Sequence, residues 1–185
     1  MARNKRLQDR EEKREEIMAA ARILFLQEGY EATAMNRLAI AAGVAPNTIY
    51  WYFKDKDELL VAILNAELAE RFNEYIQQPM QDPAERLLWV VNQLQLTNRL
   101  VSTVHSRLQV SPEINSWHER FHLLVESLLR LELQQAGIAG ERIETLVKIA
   151  IFTVEGLLAH QLPEAEKRAI CAALVNPLQI EKALN

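Results

Sequence analysis

Two short stretches of this 185-residue chain carry side chains whose types and spacing could do chemistry. The first is His118-Glu119-Arg120-Phe121-His122, which fits the pattern H-E-x-x-H. On a helix that spacing puts two imidazoles on one face to hold zinc, with a carboxylate beside them as general base. Glu126 continues the same face. The second is Asn47-Thr48-Ile49-Tyr50-Trp51-Tyr52-Phe53. With Ile49 at the origin and about 100° per residue, Ile49 and Phe53 point inward together and Asn47 and Trp51 point away, while Thr48 and Tyr50 flank them and Tyr52 sits near the edge. Amide, hydroxyl and aromatic groups then stand where an ordinary surface would show Glu and Lys, and exposed aromatics on a short helix need a partner. The major groove of double-stranded DNA accepts that mix: Asn reads adenine edges, apolar groups meet thymine methyls, and hydroxyls bond phosphates.

The two candidates differ in what surrounds them. Around His118 and His122 there is no strand pattern to hold an extended peptide and no downstream His or Glu to complete a zincin site. The expectation is a polar helix face, with no catalytic residue, cofactor or metal, and a metalloenzyme using His118 and His122 is the distant alternative. The stretch 47–53 has turn signals on both sides. Its alternative is a helix with the aromatics packed internally.

The elements that must position these residues all read as helices. Residues 2–6 look like a mobile basic arm, and Asp9 with Glu12 reads as a capping box. Ile17, Ala20, Ala21, Leu24 and Phe25 form an i, i+3, i+4, i+7, i+8 stripe that Gly29 stops. Thr33 is placed to cap a second helix over 34–42, and Gly43 takes the left-handed position of a tight turn. Pro46 suits the first position of a third helix, 46–52. Asp55 with Glu58 opens a long helix to about Gln78, and Pro79 to Pro83 is a break. Helical pattern resumes over 84–110, in one helix or two. Ser111-Pro112-Glu113 starts another that runs to about Ala136; further helices cover 141–161 and run from Pro163 to about Asn176. Ala20, Leu24, Leu38, Val44, Ile49 and Phe53 are the expected core of a DNA-reading tri-helix.

Composition agrees. Five Gly and six Pro leave little room for the turns of an all-β fold, and the hydrophobic content of 49% is globular. Cys171 is the one cysteine, which excludes an internal disulfide and fits a reducing cytosol. No secretory leader and no run of 18 apolar residues is present, so a cytoplasmic protein with no membrane partner is expected. The net charge of −4 divides unevenly: residues 1–56 carry +2 and residues 57–185 carry −6. The basic part is the one expected to face a polyanion.

Gly29-Tyr30-Glu31-Ala32-Thr33, Leu38-Ala39, Ala42-Gly43-Val44 and the run Thr48 to Leu60 resemble the TetR family of transcriptional regulators, over about residues 14–62. The resemblance implies an all-α fold of about nine helices. It also implies homodimers whose two recognition helices bind a palindromic operator. Residues that match Thr48, Tyr50, Tyr52 and Lys56 contact DNA in that family, mostly its backbone. Ala34 departs from the family's usual Ser or Thr, and Ala45-Pro46-Asn47 from its usual Ser-containing run.

The sequence thus predicts an N-terminal three-helix helix-turn-helix domain, residues 1–56, followed by a helical dimerisation and effector-sensing domain, residues 57–185. Arg37, Asn47, Thr48, Tyr50, Trp51, Tyr52 and Lys56 are the DNA-contact candidates; Arg10, Lys13 and Arg14 lie on a helix face read as solvated but able to approach phosphate. The helix over 141–161 is apolar almost all round and the last helix adds Ile170, so these two helices are expected to form a four-helix interface, with Leu157 and Ile170 in it. Trp89, Asn92, Gln93, Leu96, Trp117, Phe121, His122, Phe152 and Glu155 mix aromatics with isolated polar groups, the composition of a small-molecule pocket. The reading is a ligand-responsive repressor, with helix 57–78 as the only continuous coupling between the halves. The alternative replaces the small effector by a protein partner.

Overall fold

The computed structural model describes residues 2–78, 82–135, 138 and 140–184, with side chains placed for 8–78, 82–135, 138 and 140–175. Among them are eight α-helices and one 3₁₀ turn: α1 (Ala2–Gln27), α2 (Met35–Ala41), the 3₁₀ turn Ile49–Trp51, α3 (Lys56–Gln77), α4 (Pro83–Leu96), α5 (Asn98–Arg107), α6 (Pro112–Gln135), α7 (Gly140–Ala159) and α8 (Glu164–Leu184). The all-α expectation holds, and the break at Pro79 to Pro83 lies partly outside the described residues.

Several boundaries differ from the sequence expectation. α1 starts at Ala2, so residues 2–6 are helical and Asp9 with Glu12 is not a cap. Arg, Lys, Leu and Gln upstream of Asp9 are strong helix formers, and Gln8 Nε2 donates to Glu12 Oε1 across one turn at 3.1 Å. Thr33 does not cap α2; its buried hydroxyl donates to the Gly29 carbonyl at 2.7 Å. The third helix is a turn followed by the single 3₁₀ turn. Its residues are β-branched or aromatic, poor at holding an α-helix, and its bonds are short-range: Thr48 N to Ala45 O, Trp51 N to Thr48 O and Tyr52 N to Ile49 O, at 2.8, 3.1 and 3.0 Å. α8 continues through Pro177 to Leu184 rather than stopping at Asn176.

The chain divides into two compact units, 1–76 with 99–118 and 77–98 with 119–185. This differs from a single division after residue 56. The chain passes between the units three times, so α3 is not the only continuous connection.

In the first unit, Ile17, Ala21 and Phe25 of α1, Leu38 and Ala39 of α2, Ile49, Phe53 and Leu59 to Leu64 of α3 form the buried interior. Gly29 (φ 95°) and Gly43 (φ 66°) make the two turns there, in the left-handed region that only glycine enters freely. Asp55 Oδ1 accepts from Glu58 N at 2.8 Å, the cap that starts α3, and Glu58 Oε2 accepts from Lys54 N, one residue before the cap, at 2.6 Å. Arg22 of α1 pairs with Glu67 of α3, and Trp117 Nε1 of α6 donates to Asn65 Oδ1 of α3 at 2.8 Å.

In the second unit, Leu88 and Val91 of α4 pack with Leu157 of α7 and Cys171 of α8, and Ile143 and Val147 of α7 pack with Ile138. Leu157 is thus a core residue, not an interface residue as expected from the apolar pattern. The Lys167 ammonium is buried and fully partnered: Nζ reaches Asn92 Oδ1 at 2.6 Å, Gln95 Oε1 at 3.0 Å and Glu164 Oε2 at 2.7 Å. Arg130 of α6 pairs with Glu126 and, through Nε and Nη2, with Glu144 of α7.

Candidate nucleic-acid interface

The side chains around the 3₁₀ turn sort by depth as the helical wheel orders them. Ile49 and Phe53 are buried. Trp51 is 75% exposed and Tyr50 49%, Asn47 is exposed, and Thr48 and Tyr52 are half-buried. Two fully buried side chains therefore root a turn whose outer surface is an amide, an indole and a phenol. The indole is among the most exposed large apolar groups of the unit, and no internal packing accounts for it.

Lys56 and Arg37 are placed differently from Asn47 and Trp51. Lys56 Nζ donates to the Tyr30 and Thr33 carbonyls at 2.7 and 3.1 Å and stands over the Tyr30 ring, 4.1 Å from its centroid. Burial lowers its pKa from the ordinary lysine value. Its amine closes the turn between α1 and α2. Arg37 is exposed and pairs with Glu28 at 2.8 Å.

Beside Lys56 lies a cluster that the sequence gave no sign of. Arg107, at the end of α5, bonds Asp57 through Nε and Nη2 at 3.0 and 3.1 Å and Glu31 through Nη1 at 2.9 Å, with its guanidinium 4.9 Å from the Tyr30 ring centroid. The Tyr30 hydroxyl donates to Asp57. Burial works to raise the Asp57 pKa, and the hydrogen bonds from Arg107, Tyr30 and Ser111 overcome it, so the carboxyl titrates below the ordinary aspartate range. Burial, then the bond to Asp57, pushes the Tyr30 phenol up. At the other end of α5, Arg99 Nη1 donates to the Leu26 and Gln27 carbonyls that end α1, at 3.1 and 2.6 Å. One arginine at each end ties α5 to the elements that carry the 3₁₀ turn. Fifty residues separate Arg107 from Asp57, and no local pattern encodes such a pair.

Among the described residues no group of three or more His, Cys, Asp or Glu is arranged to hold an ion. The His118 ring stands edge-on to His105, with centroids 5.3 Å apart. His122 stands edge-on to Phe121 and has its Nε2 4.0 Å from Glu155 Oε1. Of the other pocket candidates, Leu96 and Phe152 face solvent, at 73% and 68% exposure. Trp117 is buried on Asn65 in the first unit, Asn92 is held by Lys167 and Glu164, and Trp89 and Gln93 are half-buried.

Residues 17–63 match the family described as "Bacterial regulatory proteins, tetR family". The HTH-type transcriptional regulator AcrR of Shigella flexneri is 44% identical over 63 residues, 34% of this chain and 29% of that protein. The HTH-type transcriptional repressor AcnR of Corynebacterium efficiens is 26% identical over 145 residues, 75% of this chain and 72% of the relative. A crystal structure of a putative transcriptional regulator from Saccharomonospora viridis in complex with choline has the same fold, with a TM-score of 0.70 at 18% identity over 90% of this chain and 96% of that one. The similarity to the TetR family thus lies in residues 17–63, and beyond them the solved regulators share the fold. That match spans the second half of α1, α2, the 3₁₀ turn and the start of α3.

Proposed function

We propose that this chain is a transcriptional repressor that binds a palindromic operator in double-stranded DNA as a homodimer. The observation that carries the reading is the exposed surface of Asn47, Tyr50 and Trp51 rooted on the buried pair Ile49 and Phe53. In this reading Asn47 and Trp51 meet base edges, Thr48, Tyr50 and Tyr52 line the phosphate walls, and Arg37 exchanges Glu28 for phosphate. Lys56 holds the turn that presents them. The homodimer is supported by an exposed apolar line on α7, Ile149 and Phe152, and by Ile170 on α8, side chains that a second copy would cover. Release by a small-molecule effector is supported by the choline complex of the S. viridis regulator and by the half-buried aromatic and polar groups Trp89, Gln93, Phe121 and His122 of the second unit. Selection of bound sequences from random DNA tests the reading: an inverted repeat is expected, and recovery of no sequence by the intact protein overturns it.

A further inference from the structure

We propose that the DNA-reading surface continues from the 3₁₀ turn along the first half of α1, whose basic line lies against phosphates flanking the bases read by Asn47 and Trp51; the inference rests on the DNA-binding reading above. α1 is 26 residues long, and among its described side chains the buried ones, Ile17, Ala21, Leu24 and Phe25, lie in its second half. At about 100° per residue, Arg10 and Arg14 fall in the middle of that same line and Lys13 at its edge. Asp9, Glu11, Glu12, Glu15 and Glu16 all lie about 90° or more away from it. The helix thus separates its charges by face, with the basic face continuing the buried one beyond the end of the core.

Two contacts fix where that face lies. The Arg14 guanidinium is 5.0 Å from the Phe53 ring centroid, and Arg10 Nη2 is 3.4 Å from the Trp51 carbonyl oxygen. Phe53 roots the reading turn and Trp51 is its outermost side chain, so α1 passes the turn with its cations on the turn's side. The ion pairs already there, Lys13 with Glu16 and Arg14 with Glu11 at 3.6 Å, are exposed and of the kind that contributes little, so phosphate can replace the carboxylates. A line of cations beside a groove-reading element, with the acids turned away, fits a polyanion backbone rather than a mixed protein surface.

The test uses the full-length protein, the operator recovered by selection, a salt series and hydroxyl-radical footprinting. Arg10→Gln is expected to weaken cognate and random DNA by the same factor, to reduce the slope of log affinity against log salt by roughly one per half-site, and to remove backbone protection outside the selected bases. Arg10→Lys should restore slope and protection, because phosphate needs only the charge. Wild-type protection that stops at the selected bases overturns the proposal while leaving the DNA-binding reading intact. So does an unchanged slope in Arg10→Gln, or a fall that Arg10→Lys fails to restore, which would make Arg10 a brace for the Trp51 carbonyl. A wild-type protein that binds no DNA overturns both readings.

Discussion

Of the twelve largest side chains that are fully buried among the described residues, ten belong to the unit built from 1–76 and 99–118, from Ile17 and Phe25 to Leu100 and Ile114, and only Val91 and Val147 to the other. Both units expose large apolar side chains, Ile40, Ile76 and Val110 beside Tyr50 and Trp51 in the first, but the second gathers Leu123, Leu124, Leu128 and Leu131 on the single helix α6, together with Ile149, Phe152 and Ile170. The first unit has a large interior of its own beneath the 3₁₀ turn. The second has fewer fully buried side chains and an α6 lined with exposed leucines. That contrast matches the division of labour proposed: a reading head must hold its geometry unaided, whereas a half that dimerises keeps apolar area for its partner.

The contrast is broken most severely by a charge in the second unit's small core. Leu157→Glu puts a carboxylate among Leu88, Val91 and Cys171 and should cost several kcal/mol. Hydrogen exchange should then show lost protection in α4, α7 and α8 while α1 to α3 stay protected; uniform loss would mean the units are not independent. Phe152→Glu should leave the fold nearly untouched, because the side chain is exposed, yet weaken the dimer by about 2 kcal/mol or more if it is an interface anchor. Sedimentation at micromolar concentration reads that difference, and an unshifted monomer–dimer equilibrium would remove α7 from the interface.

Within the head, Arg107→Ala leaves Asp57 without its two charged hydrogen bonds and should cost about 1.5–3 kcal/mol in denaturant unfolding. Asn47→Ala should leave stability unchanged and cost about 1–3 kcal/mol on the cognate operator only. Equal weakening on random DNA would show that Asn47 does not read bases. The smallest effect concerns pH. Because the folded-state pKa of Asp57 is depressed, its contribution is present above the unfolded value of about 4 and is lost as pH falls through the folded value. The acid limb of the stability curve should therefore be steeper in the wild type than in Asp57→Asn, with urea midpoints as the measurement.

Much of this head was legible in sequence because its signals are local. Gly29 and Gly43 marked turns that need positive φ, Asp55 with Glu58 marked a helix start, and a 3.6-residue period singled out Ile49 and Phe53. The failures came where tertiary structure overrode a local sign. Asp9 looks like a cap and is inside α1; Thr33 looks like a cap and bonds Gly29. Leu157 and Phe152 lie five residues apart on one apolar helix, and only packing tells that the first is core and the second is not. The Arg107 cluster was invisible because both its partners are remote in the chain.

The buried Lys167 ammonium has a mechanical consequence. Leucines along two packed helices are nearly interchangeable, so apolar contact alone lets one helix slip past another by a turn, about 5.4 Å, at modest cost. Asn92 and Gln95 sit one turn apart on α4 and both grip the same Nζ of α8, so any slip would strand a cation in the interior. The pin removes sliding from the motions open to this pair. α4 and the N-terminal part of α8 must move as one body, and any rearrangement of the second unit has to be taken up at other helix contacts.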